Sequence, residues 1–295
     1  MPTLKEYNVK LARLRNTRKM TKTMKLVSVN KLRRAQEAER RVGRFAESVY
    51  EIMERVARTG VAREHALLIP RKEVRNVLVL TITSDRGLCG GFNNTLIKAV
   101  AQWIAGQEAE RKTVLVSCCG RRGHTFFKSR ATLERYYEEA GSHPEFQQAR
   151  RIGHELQGAF LGGRVDEVYL AYNAAKGMLS QTAVIERVLP IDPSSLAVRG
   201  LPGAAAGVEG ECCLLDPSRE ELLGALLPRL ICLKVYAALL SSAAGEHSAR
   251  MRAMDQASTN ADNLIKTFTL QRNRARQAQI TTELTEIVGG AEALK

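Results

Sequence analysis

Two long proline-free segments, one at each end of the chain, constrain the fold more than any other feature of the sequence. Residues 3–58 contain no proline and one glycine, and no proline follows Pro228. Apolar or small residues recur at steps of three and four along both segments, which is the spacing of a coiled-coil seam. The sequence therefore predicts a first helix of about 55 residues and a second of about 60, both far longer than the average globular helix.

The seam positions of the two helices predict how the helices pair. In the first segment they are Leu4, Tyr7, Leu11, Leu14, Ala35, Ala38, Val42, Phe45, Val49, Ile52 and Val56. In the second they are Leu230, Leu233, Ala237, Leu240, Ala244, His247, Met251, Met254, Ser258, Ala261, Ile265 and Phe268. Each stripe is narrow and fits one partner helix, so we expect the two chain ends to form an antiparallel coiled coil. That pairing places Leu11 and Leu14 near the C-terminal part of the second helix.

Between the two helices, short β-branched runs alternate with helical patterns. This alternation indicates an α/β domain with a mostly parallel sheet. Strands are predicted at Val77–Ile82, Thr113–Ser117 and Val165–Ala171, with helices at Phe92–Ile104 and Glu145–Leu161. A fourth strand, Gln181–Leu189, follows too closely for a helical crossover and is expected to be antiparallel. The predicted organisation is a helix at 1–58, the α/β domain at 74–190, a loop at 191–217 and a helix at 218–295.

The segment SDRGLCGGFN, residues 84–93, joins the first strand to the first helix of this domain. A glycine-rich turn between a strand and a helix often binds phosphate, and Ser84, Asp85 and Cys89 are conceivable catalytic groups. The segment matches neither G-x-G-x-x-G nor the lysine-containing phosphate loop. We therefore expect a tight turn with glycines at positive φ, capped by Asn93 or Asn94, and no bound nucleotide or other cofactor.

The net charge of +14 is concentrated in the N-terminal segment, where Lys5 to Arg44 include 14 basic residues and three acidic ones. This excess favours an acidic partner: nucleic acid, anionic lipid or an acidic protein surface. The N-terminal segment has few aromatic residues, among them Tyr7 and Phe45, which disfavours base stacking. A basic coiled-coil nucleic-acid-binding or scaffold protein stays open as an alternative. The spacing of the six cysteines and five histidines predicts no metal site.

Four segments in order carry a family resemblance: residues 13–36 (RLRNTRKMTKTMKLVSVNKLRRAQ), the turn at 84–93, residues 246–265 (EHSARMRAMDQASTNADNLI) and residues 273–294 (NRARQAQITTELTEIVGGAEAL). Through them the chain resembles the γ subunit of F-type ATP synthase along nearly its whole length. The resemblance implies an antiparallel coiled coil of the two termini plus a small Rossmann-like α/β domain. Gly245 departs from the family, which often has serine there.

The resemblance also implies a function. A γ subunit is the rotor shaft inside a hexamer of alternating α and β subunits, and its foot joins the ε subunit and the membrane ring of c subunits. Ion flow turns the ring, and the shaft drives the β sites through their binding states. The chain is then not itself catalytic, binds no nucleic acid, and meets the membrane only through the complex. The expected location is the cytoplasmic side of a bacterial inner membrane, as a peripheral protein.

The resemblance assigns partner contacts to particular residues. Basic residues of the first helix would face acidic loops of β, and a pair near the end of the second would bond a β loop. From Ile280 onwards apolar side chains spread around the helix, so the tip is expected to overhang the coiled coil and sit in an apolar collar. The predicted contact residues are Lys22, Met24, Lys25, Arg86, Cys89, Arg276, Gln277, Ile287 and Val288.

Overall fold

The computed structural model describes residues 3–57, 65–138, 140–141, 144–176, 180–192 and 219–292. They form two compact units. The first unit consists of Met1–Val29 and Arg250–Lys295, and the second of Asn30–Ala249. Two helices, α1 (Leu4–Ala57) and α5 (Arg219–Glu292), contribute residues to both.

Both terminal helices are present, with 54 residues in α1 and 74 in α5. The second begins before the first seam residue, Leu230, and runs through Pro228. Proline lacks the N–H that would bond the preceding helical turn. Tertiary packing supports the helix at this point, where the buried Gln157 donates from Nε2 to Pro228 O at 2.9 Å.

In the first unit α1 and α5 run antiparallel, as predicted. Residue numbers rise along α1 while those of their partners fall along α5, which only antiparallel pairing produces. The pairs are Tyr7–Phe268, Arg18–Asp262, Thr21–Ser258 and Lys25–Asp255. Leu11 is 2% exposed and lies between the first two of these pairs, so the predicted position of this seam residue is confirmed.

The centre of this helical pair is polar. Thr21 and Ser258 are both buried, and their hydroxyl oxygens are 2.7 Å apart. Ala261, one turn further along α5, is also buried. Small side chains at these positions let the two backbones approach closely. The ion pairs on either side, Arg18–Asp262 and Lys25–Asp255, each have an N···O distance of 2.6 Å.

The Arg18–Asp262 pair predicts a pH dependence for the first unit. The hydrogen bond from Arg18 lowers the pKa of Asp262 below its ordinary value. Folding therefore favours the ionised carboxylate, so this contribution is present above the ordinary aspartate pKa of about 4 and is lost as the pH falls below it. Asp262→Asn should lower the thermal midpoint at about pH 7, and the difference from the native chain should vanish on acidification through pH 4.

Arg18→Gln supplies the control for that measurement, because it removes the same hydrogen bond from the opposite partner. The double variant should then show no further loss. A difference between the native chain and Asp262→Asn that is the same at both pH values would show that the pairing contributes nothing to the pH dependence.

The second unit contains a five-stranded sheet with strand order β3-β2-β1-β4-β5. Its elements are β1 (Asn76–Ile82), α2 (Phe92–Ala109), β2 (Thr113–Cys119), α3 (Arg121–Phe127), β3 (Thr132–Tyr137), α4 (Phe146–Leu161), β4 (Glu167–Lys176) and β5 (Ser180–Leu189). Strands β1 to β4 are parallel and β5 is antiparallel to β4, as predicted. The sequence missed α3 and the edge strand β3. Beyond Asp192, the predicted loop at 191–217 lies outside the described residues.

Hydrophobic clusters cover both faces of the sheet. One contains strand residues together with α4 and the first part of α5, including Leu156, Phe160, Leu227 and Ile231. The other joins α2 and α3 to the opposite face. The sheet thus lies between helical layers, which is the doubly wound α/β arrangement expected from the resemblance.

Within the second unit the prediction of a narrow seam was wrong. Residues 241–249 of α5 are buried all round, including His247, because the helix packs into the core of this unit. Phe45 and Ile52, predicted on the seam of α1, are 60% and 47% exposed. Gly245 has a packing reason: a Cβ there would lie 3.2 Å from Phe92 Cε2.

Among the described residues, one helix has the length and composition of a membrane span. It covers Glu221–Ala291, and its most apolar 18-residue window has a mean hydropathy of 1.8. Half of that window is buried inside the protein. Its apolar character is explained by its place in the core of the second unit.

Candidate functional site

The glycine-rich turn follows β1 at the carboxyl edge of the parallel sheet, where α/β folds usually bind ligands. The chain itself fills this edge. Gly120 has φ +92°, and a Cβ on it would overlap the carbonyl oxygen of Thr83. A Cβ on Gly141 would overlap the same oxygen. Two backbone segments therefore press directly against the end of β1.

The side chains of Thr83 and Asp85 bond the start of α3. The buried Thr83 hydroxyl donates to Cys119 O at 3.1 Å and accepts from Gly123 N at 2.9 Å. Asp85 Oδ1 accepts from Arg121 N at 3.0 Å. The backbone amides of Arg121 and Gly123 could have bound a phosphate at the start of α3, but both are already bonded to the protein.

A second network, between Ser84, Asn93 and Cys89, holds the turn. Ser84 N donates to Asn93 Oδ1 at 2.9 Å, and Asn93 Nδ2 donates to Ser84 Oγ at 2.7 Å and to Cys89 Sγ at 3.3 Å. Ser84 Oγ donates to Arg86 O at 2.6 Å. These side chains stabilise the turn, and Ser84 and Cys89 are buried at 0% and 2% exposure, which does not suit catalytic groups.

The predicted helix cap was wrong. The residue before α2 is Gly91, and no side chain caps the helix. Asn93 lies inside the first turn, so its amide reaches back to Ser84, while Asn94 is exposed. The expectation of positive φ is met by Gly90, at +59°. Leu88, at φ +64°, adopts the same conformation, which the sequence did not predict.

A cleft between β3 and α4 has a volume of about 330 Å³. The Glu155 carboxylate in its wall accepts from Tyr137 OH at 2.7 Å and pairs with Arg135 at 2.8 Å. Burial alone would raise the pKa of Glu155, but the bonds from Tyr137, Arg151 and Arg135 outweigh it and hold the pKa below its ordinary value. The charges lining this cleft thus neutralise one another, which does not single it out as a ligand site.

Nucleophile and metal chemistry find no support in the described part of the chain. Burial raises the pKa of the Cys118 thiol to about 12, which keeps it protonated and unreactive. Cys119 is also buried, and its pKa is raised further by the same cause. The described residues contain no group of three or more histidine, cysteine or acidic side chains that could hold a metal ion.

The predicted contact residues fall into three groups. Lys22, Met24 and Lys25 lie together on α1, where Lys22 is exposed and Met24 half-buried. Arg86 is exposed in the glycine-rich turn, whereas Cys89 is buried. The third group lies on the last part of α5, which is exposed at every position from 276 to 291; its members are Arg276, Gln277, Ile287 and Val288.

The two units are an antiparallel pair of helices made by the chain ends and an inserted α/β unit with a filled ligand edge. Comparison with known proteins identifies the family that has this combination. The family model described as ATP synthase matches residues 3–294. The ATP synthase gamma chain of Anaeromyxobacter sp. (strain K) is 41% identical over 300 residues, covering 100% of both chains. That of Trichlorobacter lovleyi is 38% identical over 295 residues, again covering 100% of both.

Solved structures share the fold. A chain of the Euglena gracilis mitochondrial ATP synthase, from a structure of OSCP, F1 and the c-ring, superposes with a TM-score of 0.65 at 20% identity, covering 99% of this chain and 94% of that one. A chain from the central stalk and c-ring of the Tetrahymena thermophila enzyme gives a TM-score of 0.57 at 22% identity, covering 81% and 99%. The chain belongs to the ATP synthase gamma chain family. The nucleic-acid alternative finds no support in these comparisons.

Proposed function

We infer that this chain is the central rotor subunit of an F-type ATP synthase. It couples ion-driven rotation of the c-ring to ATP synthesis or hydrolysis at the sites of the α and β subunits. The observation that carries this inference is the family match, which spans residues 3–294 and includes relatives that align over the whole chain. Its partners are the α₃β₃ hexamer, the ε subunit and the c-ring.

The contacts of the first unit suit a shaft that transmits torque. Thr21 and Ser258 bond across the helical pair, and an ion pair lies on each side of them. Sliding one helix along the other by a single residue would break all three contacts together. They therefore oppose changes of register, which would otherwise dissipate rotation as internal motion.

The chain itself performs no chemistry in this mechanism. ATP turnover takes place at the α and β subunits, and the chain needs no cofactor or metal. It is a peripheral subunit of a membrane complex. The relatives named above are bacterial, which supports a place on the cytoplasmic side of a bacterial inner membrane.

We propose that the three groups of predicted residues, apart from the buried Cys89, are its contacts with the hexamer. In the first unit, exposed Lys22 supplies positive charge toward acidic loops of β, with Met24 two residues further along the same helix. In the second unit, exposed Arg86 supplies positive charge of the same kind. Arg276 and Gln277 offer exposed polar groups near the top of the shaft. Ile287 and Val288, 67% and 61% exposed, provide apolar surface for a smooth collar that a turning helix can slide against.

Lys25 requires a separate test, because its ammonium already contacts Asp255 Oδ1 at 2.6 Å. Lys22→Glu should weaken coupling through repulsion from the acidic loops, although it also places a carboxylate near Asp262, whose charge Lys22 offsets in the native chain. Lys25→Glu should weaken it and also break the internal pair, whereas Lys25→Glu with Asp255→Lys restores that pair with its charges exchanged. We expect an effect of about 1 kcal/mol per exposed charge, reduced by salt.

The measurement is the number of protons pumped per ATP hydrolysed by membrane vesicles that carry each variant, at low and high salt. Coupling lost in Lys25→Glu and recovered in the exchanged pair would assign Lys25 to the internal contact. If Lys22→Glu pumps normally at low salt, Lys22 does not face an acidic surface.

Purification from membranes tests the proposed function as a whole. An affinity tag on this chain should recover three copies of α and three of β for each copy of the chain. The ε subunit and the c-ring should be recovered with them, and mass spectrometry would identify each partner. Recovery with nucleic acid and without α and β would contradict the proposal.

A further inference from the structure

Leu88 has the least expected backbone conformation of the glycine-rich turn. Its φ is +64°, in the left-handed region, where a Cβ is crowded by its own backbone. Its side chain is 63% exposed. Among the described residues one other non-glycine has a positive φ, Arg111 at +62°. A glycine or asparagine at position 88 would adopt this conformation with less strain.

The residues around Leu88 force it into this conformation. Cys89 is 2% exposed and forms a small apolar cluster with Phe92 and Ala249. On the other side, Ser84 is held through both its backbone and its hydroxyl by Asn93. With both ends of the turn fixed, the Leu88 side chain points outward. Strain of this kind is found more often where the presented side chain serves a function, and it therefore motivates a functional hypothesis for Leu88.

The surroundings of Leu88 are basic. Arg86 is exposed two residues before it, and the guanidinium of Arg122 lies against Gly87, where an added Cβ would be 2.7 Å from Nη2. Arg121 is also exposed, and the nearby Asp85 carboxylate is bonded to its backbone N–H. An isolated apolar side chain among guanidinium groups fits an acidic partner surface with an apolar socket.

We propose that Leu88, and not Cys89, is the residue of this turn that inserts into the partner. The partner is an acidic loop of the catalytic hexamer that offers an apolar socket, so the proposal rests on the function inferred above. Cys89 has an internal role, since it anchors the turn to Phe92 and Ala249. The strained backbone is the cost of presenting leucine at a position where glycine would be more stable.

This proposal predicts opposite signs for stability and binding in one variant. Leu88→Asn relieves the strain, so the thermal midpoint of the isolated chain should rise by about 2 °C. The same change removes the buried apolar contact, so the chain should dissociate from the assembled α₃β₃ complex about tenfold faster. Leu88→Met keeps an apolar side chain and should leave the dissociation rate close to native.

Arg111→Asn is the matched control, because Arg111 has the same backbone conformation at the turn between α2 and β2. It should raise the midpoint similarly and leave dissociation unchanged. If Leu88→Asn dissociates at the native rate, Leu88 is not the contact. If it lowers the midpoint of the isolated chain, the strain argument fails. A native chain that forms no complex with α and β overturns the proposed function itself, whatever the behaviour at position 88.

Discussion

Gly120→Ala should destabilise the second unit by about 3 kcal/mol or more. Two effects act together. The backbone at Gly120, with φ +92° and ψ 140°, is one that side chains rarely adopt, and a Cβ would overlap the carbonyl oxygen of Thr83. The glycine is needed because one backbone packs directly on another at the edge where a nucleotide would otherwise bind. Urea unfolding of the isolated chain measures the loss.

Two other glycines separate the causes. Gly163 also has positive φ, +69°, but nothing lies within 4 Å of its added Cβ, so Gly163→Ala should cost only the backbone strain, about 1 kcal/mol. Gly106 lies inside α2 with open space around it, so Gly106→Ala should stabilise the chain by about 0.5–1 kcal/mol. A Gly120→Ala variant no less stable than Gly163→Ala would mean that this edge of the sheet is not closed by the contact described.

Removing the end of α5 from residue 276 onwards should weaken assembly more than a hundredfold while leaving the isolated chain as stable as before. Positions 276–291 are all exposed, so the fold of the chain does not depend on them. In the complex the truncation would remove a polar pair and four apolar side chains, Ile280, Leu284, Ile287 and Val288. Each apolar group buried in a collar contributes about 1.5 kcal/mol or more, and each 1.4 kcal/mol is a factor of ten.

A shorter truncation after Gly289 should loosen the complex only slightly. It should not abolish ATP hydrolysis, because the polar pair and the four apolar side chains all precede Gly289 and stay in place. The full-length double variant Arg276→Ala with Gln277→Ala measures the share of the polar pair. Dissociation rates and ATPase rates of assembled complexes separate these cases. If the short truncation alone stopped hydrolysis, the tip would have a role beyond that of a bearing.

The antiparallel helical pair was predictable because the local spacing of apolar residues along the chain defines a coiled-coil seam. Tyr7, Leu11 and Leu14 recur at steps that only one helix face can satisfy, and Phe268 and Ala261 do the same from the other end. Two narrow stripes of this kind can cover each other only by pairing. The order of the pairs then follows from the chain direction.

The burial of α5 in the second unit was not predictable from spacing. Residues 241–249 read SSAAGEHSA, with polar groups around the whole helix, and all nine are buried. They are accommodated by tertiary contacts such as Gln181 Nε2 with the carbonyl of Gly245, and Ser242 Oγ with Ile82 O at 3.4 Å. Those partners lie more than sixty residues away or on another element, so no local pattern reveals them.

Strand β3 and the internal bonds of the glycine-rich turn were missed for related reasons. β3 reads TLERYY and is a half-exposed edge strand, so it lacks the apolar run that marked the other parallel strands. Asn93 has the residue type of a helix cap, but its position inside the helix turns its amide toward Ser84. The conformation of Leu88 is imposed by contacts on both sides, and leucine carries no turn signal of its own.

Direct observation of rotation tests the central claim. An α₃β₃ complex containing this chain can be immobilised through its β subunits, with a bead attached at Lys128→Cys, an exposed position of the second unit. On addition of ATP the bead should turn continuously in one direction, at a rate that follows ATP hydrolysis. A complex that hydrolyses ATP while the bead on a firmly bound chain stays fixed or only fluctuates would contradict the assignment of this chain as the rotor.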